Sequence, residues 1–408
     1  MKRLLLFLSM FLLVGGTTMA FANGANGSDL MRVSNSENGA STNAVVQLQN
    51  NNSGAKPLEA TNNKPVITFT TSKEIGEEIK LTHGSIFNNP LSSELEIEGA
   101  FLISGNIYVL TAQTVKIIGN CLSLGCSENG ITSIDLSNSK LIELSCSSNQ
   151  LKTLDLSNNR DLRELDCSSN RLRALDLSKN SRLTQLKCNN NLLTALDLPY
   201  HILLKKLECY HNQLRALDLS FLHNIEELDC SSNQLRALDL SKNSRLTKLY
   251  CVRNKLKSLD LSNNRDLRKL DCSSNQLRQI QLTYYAEKLD DINCVSNKID
   301  LEHMEQLINS LPERTAYRYR YGSYNLYVQS SSTDGNQITE EQAKKARAKG
   351  WDVSAYRYTT PTGISTIDNN EALPRKVFDL NGCEVNENQA KGVVIVKQGN
   401  KTYKKVVK

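Results

Sequence analysis

The 408-residue sequence contains no GxSxG, no HExxH, no phosphate-binding glycine loop and no CxxC. The local signatures of nucleophile-elbow hydrolases, zinc peptidases, nucleotide-phosphate cradles and dithiol redox sites are therefore missing. Histidine is scarce: His83, His201, His211, His223 and His303 are all there is. His201 and His223 fall one position out of phase in neighbouring repeats, where two rings could approach. A protein metal site uses three or four ligands and no third is evident, so both read as surface histidines. No catalytic residue, cofactor or metal is assigned, and no enzyme activity is expected. Charge of one sign is also lacking over most of the chain. The formal net charge is +6, and residues 375–408 alone hold eight basic and three acidic side chains. The body is near neutral and exerts no general pull on nucleic acid. Tyr317–Tyr321, "YRYRY", reads as a strand with one packed and one solvated face rather than a base-stacking strip.

Long apolar runs are missing too, apart from one near the start that is too short to span a bilayer comfortably. There, Lys2 and Arg3 precede the run and Ala20-Phe21-Ala22 follows it. This is the pattern of a secretory signal peptide cut after Ala22, with no transmembrane span left in the mature protein. Residues 23–64 are rich in Asn, Ser and Gly, cannot bury enough apolar surface to offset chain entropy, and read as a disordered linker. From 65 to 120, runs such as "VITFTT", "LEIEG" and "VKIIG" read as strands of an N-terminal β cap.

Cysteine is present but in a form that disfavours pairing. There are eleven, an odd number, and Cys167, Cys188, Cys209, Cys230, Cys251 and Cys272 follow one another at intervals of 21 residues. Cys126, Cys146 and Cys294 extend the column. The interval is an internal repeat of two half-units, LxxLDLSxN and LxxLxCxxN, and the repeat decides the fold. Apolar residues two apart, such as Leu154 with Leu156 and Leu165 with Cys167, point to one side of a short strand. The closing Asn of each half-unit suits a turn. Each repeat thus makes one coil with two short strands, coils stack about 4.8 Å apart, and no length is left for a helix on the back. An inward cysteine is a small apolar filler where two strands face each other closely. Stacked neighbours about 4.8 Å apart at Cβ exceed the roughly 3.8 Å of a disulfide, so the column is expected to be free packed thiols.

An aspartate column runs through Asp155, Asp176, Asp197, Asp218, Asp239 and Asp260, with Lys152, Arg173, Arg215, Arg236 and Lys257 three residues earlier. The basic column is expected to offset the acidic one across neighbouring coils, in preference to a calcium stripe. Outward positions beside the aspartates barely vary. Those beside the cysteines do, and large side chains gather mid-array at Tyr210, His211, Tyr250, Val252 and Arg253. Aromatic and arginine anchors are what protein-binding hot spots favour. In two adjacent coils Pro199-Tyr200-His201-Ile202 and Phe221-Leu222-His223 replace Ser-Lys-Asn, so Tyr200 and Phe221 mark a second candidate contact patch.

After Cys294 the repeat decays. "LEHMEQLINSLP" and "TEEQAKKARAKG" read as helices and "YNLYVQS" as a strand, forming an α+β C-terminal cap over 302–358. Residues 359–372 read as a linker and 373–408 as a separate terminal module.

The nested repeat, with LDLS, Cys and Asn recurring together over 121–301, resembles bacterial leucine-rich repeat surface proteins of the internalin-J-like cysteine-ladder type. The final stretch, with "VFDLNG", "GVVIVK" and a basic last strand, resembles a type IX secretion sorting domain. These resemblances imply an all-β-dominated solenoid with short parallel strands on two faces. They also imply a secreted protein attached to the bacterial outer membrane surface, whose tail engages the secretion machinery. Its expected work is binding a protein or glycan on host or neighbouring cells, in adhesion; the alternatives are a coat or spacer without a specific ligand and an accessory module of a surface enzyme system.

Overall fold

The computed structural model describes residues 64–84, 95–284, 286–314, 324–329 and 331–359, together with the backbone of seven further strands. Three of these, Thr17–Asn23, Asp29–Asn35 and Ala44–Gln47, pair into an antiparallel sheet. Arg375–Phe378, Gly392–Gln398 and Lys401–Val407 make another. The seventh, Ser365–Ile367, pairs with Arg357–Thr359. Most of the expected signal peptide, Tyr317–Tyr321 and Cys383 lie outside the described residues, as does the expected linker over 23–64 apart from the strands just named and its last residue.

The repeat forms a solenoid. In each coil the three residues before the cysteine make a strand, from Ser123–Gly125 through Glu143–Ser145 and Glu164–Asp166 to Asp291–Asn293. These strands stack parallel and in register, leucine over leucine: Leu165 beside Leu186, Leu207 beside Leu228. Hydrogen bonding continues past each strand. The Cys209 N–H donates to the Asp229 carbonyl at 2.8 Å and the His211 N–H to the Ser231 carbonyl at 2.9 Å. In-register stacking brings identical residues together and closes the leucine core between coils.

Every cysteine from Cys126 to Cys294 in the column is free and fully buried. This is the packed-thiol arrangement expected from the spacing. Two residues after each cysteine of the column the chain turns through the left-handed region, at Glu128, Ser148, Ser169, Asn190, His211, Ser232, Arg253, Ser274 and Ser296, with φ of 52–60°. Small polar residues tolerate that conformation better than bulky ones. The next residue, always Asn, secures the corner. Asn170 accepts from the Leu151 N–H through Oδ1 at 3.0 Å and donates through Nδ2 to the Cys146 and Cys167 carbonyls at 3.0 and 3.1 Å.

The second half-unit behaves differently. A parallel ladder on that side forms between Ser258–Leu261 and Gln279–Leu282. With or without that ladder the aspartate carboxylate accepts from the serine N–H two residues on, as Asp155 does from Ser157, Asp239 from Ser241 and Asp260 from Ser262, each at 2.9 Å. These local bonds coexist with strand pairing at Asp260. They also correct the expected source of charge compensation: no ion pair links the aspartate column to Arg173, Arg215 or Arg236 among the described residues, and the serine N–H holds the Asp155, Asp176 and Asp239 carboxyls below the usual range.

Both open edges of the solenoid are covered at the N-terminal end. Thr82–Gly84 pairs antiparallel with Ser123–Gly125, and Val66–Thr71 pairs antiparallel with Ile131–Asn138. Gly125 stands where later coils carry a side chain, because a Cβ there would lie 2.1 Å from Thr82 Oγ1. At the other end, Tyr324–Tyr327 and Trp351–Ser354 extend the parallel sheet. Helix α1 (Leu301–Ser310) packs against Gln279–Leu282, capped by Asp300, and helix α2 (Glu340–Ala348) opens on a Thr339–Gln342 capping box. Asn336 continues the corner: it accepts from the Ile299 N–H at 3.0 Å and donates to the Cys294 carbonyl at 2.7 Å. Unpaired sheet edges invite association, and each cap pairs its own strands onto the ends of the repeat array.

Candidate partner-binding surface

The cysteine-side sheet presents its outward side chains as a grid. Register places Lys206, Glu227 and Lys248 in one column and Glu208, Asp229 and Tyr250 in the next. Beyond the cysteines follow Tyr210, Ser231 and Val252, and then the left-handed corner residues His211, Ser232 and Arg253. Of the seven candidate contact residues, five thus fall on two coils, those of Cys209 and Cys251. Between them the Cys230 coil offers Ser231 and Ser232. At about 4.8 Å per coil, the bulky rows stand about 10 Å apart with a row of small side chains between.

The chemistry of this slot is mixed. Tyr210 is half-buried, and its ring meets that of His211 edge-on at 5.6 Å between centroids. Burial pushes the Tyr210 hydroxyl up from its ordinary pKa. Asp229 accepts from the Ser231 N–H at 3.0 Å, yet burial raises its carboxyl pKa. Ser231 Oγ in turn accepts from the Val252 N–H at 3.2 Å, which ties the small row to the Arg253 row. Along the outer column Lys206 bridges Glu208 at 2.9 Å and Glu227 at 3.5 Å, and Lys248 reaches Glu227 at 2.5 Å. The Lys248 hydrogen bond is the main reason that the Glu227 carboxyl is held low. The charges of that outer column are paired, whereas Asp229, His211 and Arg253 beside the two tyrosine rings have no ion-pair partner among the described residues.

Tyr200 and Phe221 do not join this group. They occupy one column of the turn that follows LDLS, in adjacent coils, and are 66% and 48% exposed. Ile202 and Leu203 beside them are also exposed. The outward positions of "LDLPYHILL" signal this patch, although Leu203 is not singled out by the motif comparison. His201 departs from the surface reading. It is fully buried, in the position filled by Asn180 one coil earlier and Asn243 two coils later. Neither ring nitrogen makes a well-formed hydrogen bond, and burial lowers the ring pKa against a smaller opposing effect of the Leu198 and Leu177 carbonyls. His223 is exposed, so the two rings do not form a pair. Among the described residues no cluster of His, Cys, Asp or Glu is arranged to hold a metal ion.

In-register coils of 21 residues, an inward leucine framework, a buried cysteine column and an asparagine-locked corner define a leucine-rich repeat solenoid of the cysteine-ladder kind. No family model matches the chain, and neither does any curated protein. Among solved structures it is similar to the functional domain of InlJ from Listeria monocytogenes, which includes a cysteine ladder. That similarity has 21% identity and a TM-score of 0.38, over 68% of this chain and 77% of that one. A leucine-rich repeat protein of Leptospira interrogans matches at 19% identity and a TM-score of 0.38, over 54% of this chain and 61% of the other. YopM from Yersinia enterocolitica matches at 26% identity and a TM-score of 0.35, over 44% and 43%.

Proposed function

We propose that this solenoid is a recognition module of a secreted, surface-attached protein, and that it binds a protein partner through the slot between the Cys209 and Cys251 coils. The observation that carries this reading is the grouping of Tyr210, His211, Tyr250, Val252 and Arg253 around Ser231 and Ser232, beside the ion-paired Lys206, Glu208, Glu227 and Lys248. Tyrosine and arginine supply large contact area, and a serine row admits a partner side chain between them. A sheet held by backbone bonds on both edges loses little entropy when it binds. Tyr200 and Phe221 provide a second apolar contact on the adjoining turn. Adhesion to host or neighbouring cells is the setting that fits a signal peptide followed by such a surface, and the terminal tail supplies the link to secretion. No helix of the described residues is long and apolar enough to cross a membrane.

The test is attachment of the full chain to host cells and to extracellular-matrix protein, compared with Tyr210→Ala/Tyr250→Ala and with Arg253→Asn. Asparagine suits the left-handed backbone at position 253, where φ is 53°, so that variant is expected to keep its melting temperature. Attachment should fall at least tenfold in both variants. Unchanged attachment in both would favour a spacer without a specific ligand.

A further inference from the structure

The last coils break the charge pattern of the rest of the array. Upstream, each outward basic residue of the second half-unit is followed by Ala, Thr or Ser and then by Asp. At the end, Lys257 is followed by Ser258 and Asp260, but Arg278 is followed by Gln279 and Gln281. The acidic column is therefore interrupted where the basic one continues. A shallow depression of about 190 Å³ lies at this place, lined by Lys257, Gln276, Arg278 and Lys298. All four side chains are exposed. Backbone bonds fix their relative positions: the Arg278 N–H donates to the Lys257 carbonyl at 3.0 Å and the Lys298 N–H to the Leu277 carbonyl at 2.8 Å. None of the three cations has an ion-pair partner among the described residues. Asp300, one coil on from Arg278 in the basic column, is engaged in capping helix α1, accepting from the His303 N–H at 2.9 Å and contacting His303 Nδ1 at 2.8 Å.

Lys257, Arg278 and Lys298 line one small hollow, so three cations without ion-pair partners stand around its rim, where an anion would relieve their repulsion. The guanidinium of Arg278 offers a planar fork to an oxyanion and the two ammonium groups close on its flanks. A hollow this small holds one charged group with little more around it. The adjoining outward positions pair in register as Ser258 with Gln279 and Asp260 with Gln281; the hydroxyl and the two amides can both donate to and accept from sugar hydroxyls, and Asp260 can accept from them. From this combination we infer that the hollow binds a sulfate or carboxylate group of an anionic glycan, with the sugar hydroxyls lying along Ser258, Gln279 and Gln281. The site is separate from the tyrosine slot and does not depend on it.

The experiment is lysine footprinting of the full chain, which reads individual sites and is blind to the basic tail. Acylation of Lys257 and Lys298 is followed by mass spectrometry with a sulfated heparin oligosaccharide, with an oligogalacturonate, with inorganic sulfate and with neutral maltohexaose. The inference predicts at least threefold protection of both lysines by one or both anionic oligosaccharides, none by maltohexaose, and no change at Lys152. The two anionic arms tell sulfate from carboxylate. Arg278→Ala should abolish the protection, whereas Arg215→Ala and Tyr210→Ala should leave it intact. Protection by inorganic sulfate alone, equal acylation with and without every oligosaccharide, or undiminished protection in Arg278→Ala would each overturn it.

Discussion

The side-chain amide of Asn233 donates to the carbonyl of Cys209, one coil away, at 3.0 Å. It also donates to the Cys230 carbonyl at 3.1 Å and accepts from the Leu214 N–H at 3.0 Å. One buried side chain thus satisfies backbone groups of two coils and sets their spacing. Asn243, in the opposite corner, donates to the Leu219 and Leu222 carbonyls at 3.1 and 2.9 Å, but its Oδ1 has no partner. The chain itself carries leucine in that column, at Leu222.

The two asparagines should therefore respond differently to the same substitution. Asn233→Leu strands a buried N–H and two carbonyls and is expected to cost about 3 kcal/mol; Asn243→Leu loses two bonds but also removes an unsatisfied oxygen, and should cost under about 1.5 kcal/mol. Urea unfolding of each variant checks this. Equal losses would mean that the cysteine-side corner has no special role.

His201 makes stability depend on acid. Its pKa is lowered in the fold by burial, so the unfolded chain takes up a proton that the native chain resists. The stabilisation is complete above about pH 6.5, the ordinary histidine value, and is lost as pH falls below it, by at most about 2 kcal/mol at about pH 5. His201→Asn restores the residue type of the neighbouring coils and should remove this part of the pH dependence. Comparing urea midpoints at about pH 5 and 7.5 for both proteins measures it.

The buried thiols act in the opposite direction. Burial pushes Cys126, Cys188 and Cys294 up to about 12 and raises the other cysteines of the column as well. Thiols of the unfolded chain ionise near 8.5, so the stabilising protonated state is fully present below that value. It is lost as pH rises towards the folded values, at about 1.4 kcal/mol per thiol per pH unit. Across the column this reaches the order of 10 kcal/mol near pH 10, comparable to the whole stability of a typical domain. Denaturant midpoints should fall steeply between about pH 8.5 and 10, and Cys230→Ala should lessen that slope by one thiol's share.

Much of this molecule is written in its repeat. The 21-residue interval and the inward Leu and Cys positions were sufficient for the solenoid, its in-register sheet and the free thiols, because stacking identical coils leaves each position one environment. Both C-terminal helices and the strand at Tyr324 were legible for the ordinary reason that amphipathic periodicity and caps mark them. The aspartate side was less so. The LDLS motif is the same at Asp155, where no strand forms, and at Asp260, where one does, so the motif does not tell the two apart. His201 misled because a polar residue in a turn reads as exposed, whereas its column, read against Asn180 and Asn243, is an interior one. The hollow at Arg278 arises from residues of three coils, and only stacking brings Lys257, Gln276 and Lys298 around it.

The most direct measurement of the central claim is a count of reactive thiols before and after unfolding, without reductant. If the cysteine column is interior filler, the ten described cysteines stay silent towards a thiol reagent in the native protein and all ten react once denaturant is added. Ladder cysteines that react in the native state, or that remain silent after unfolding because they are already bridged, would contradict the architecture from which everything else here is built.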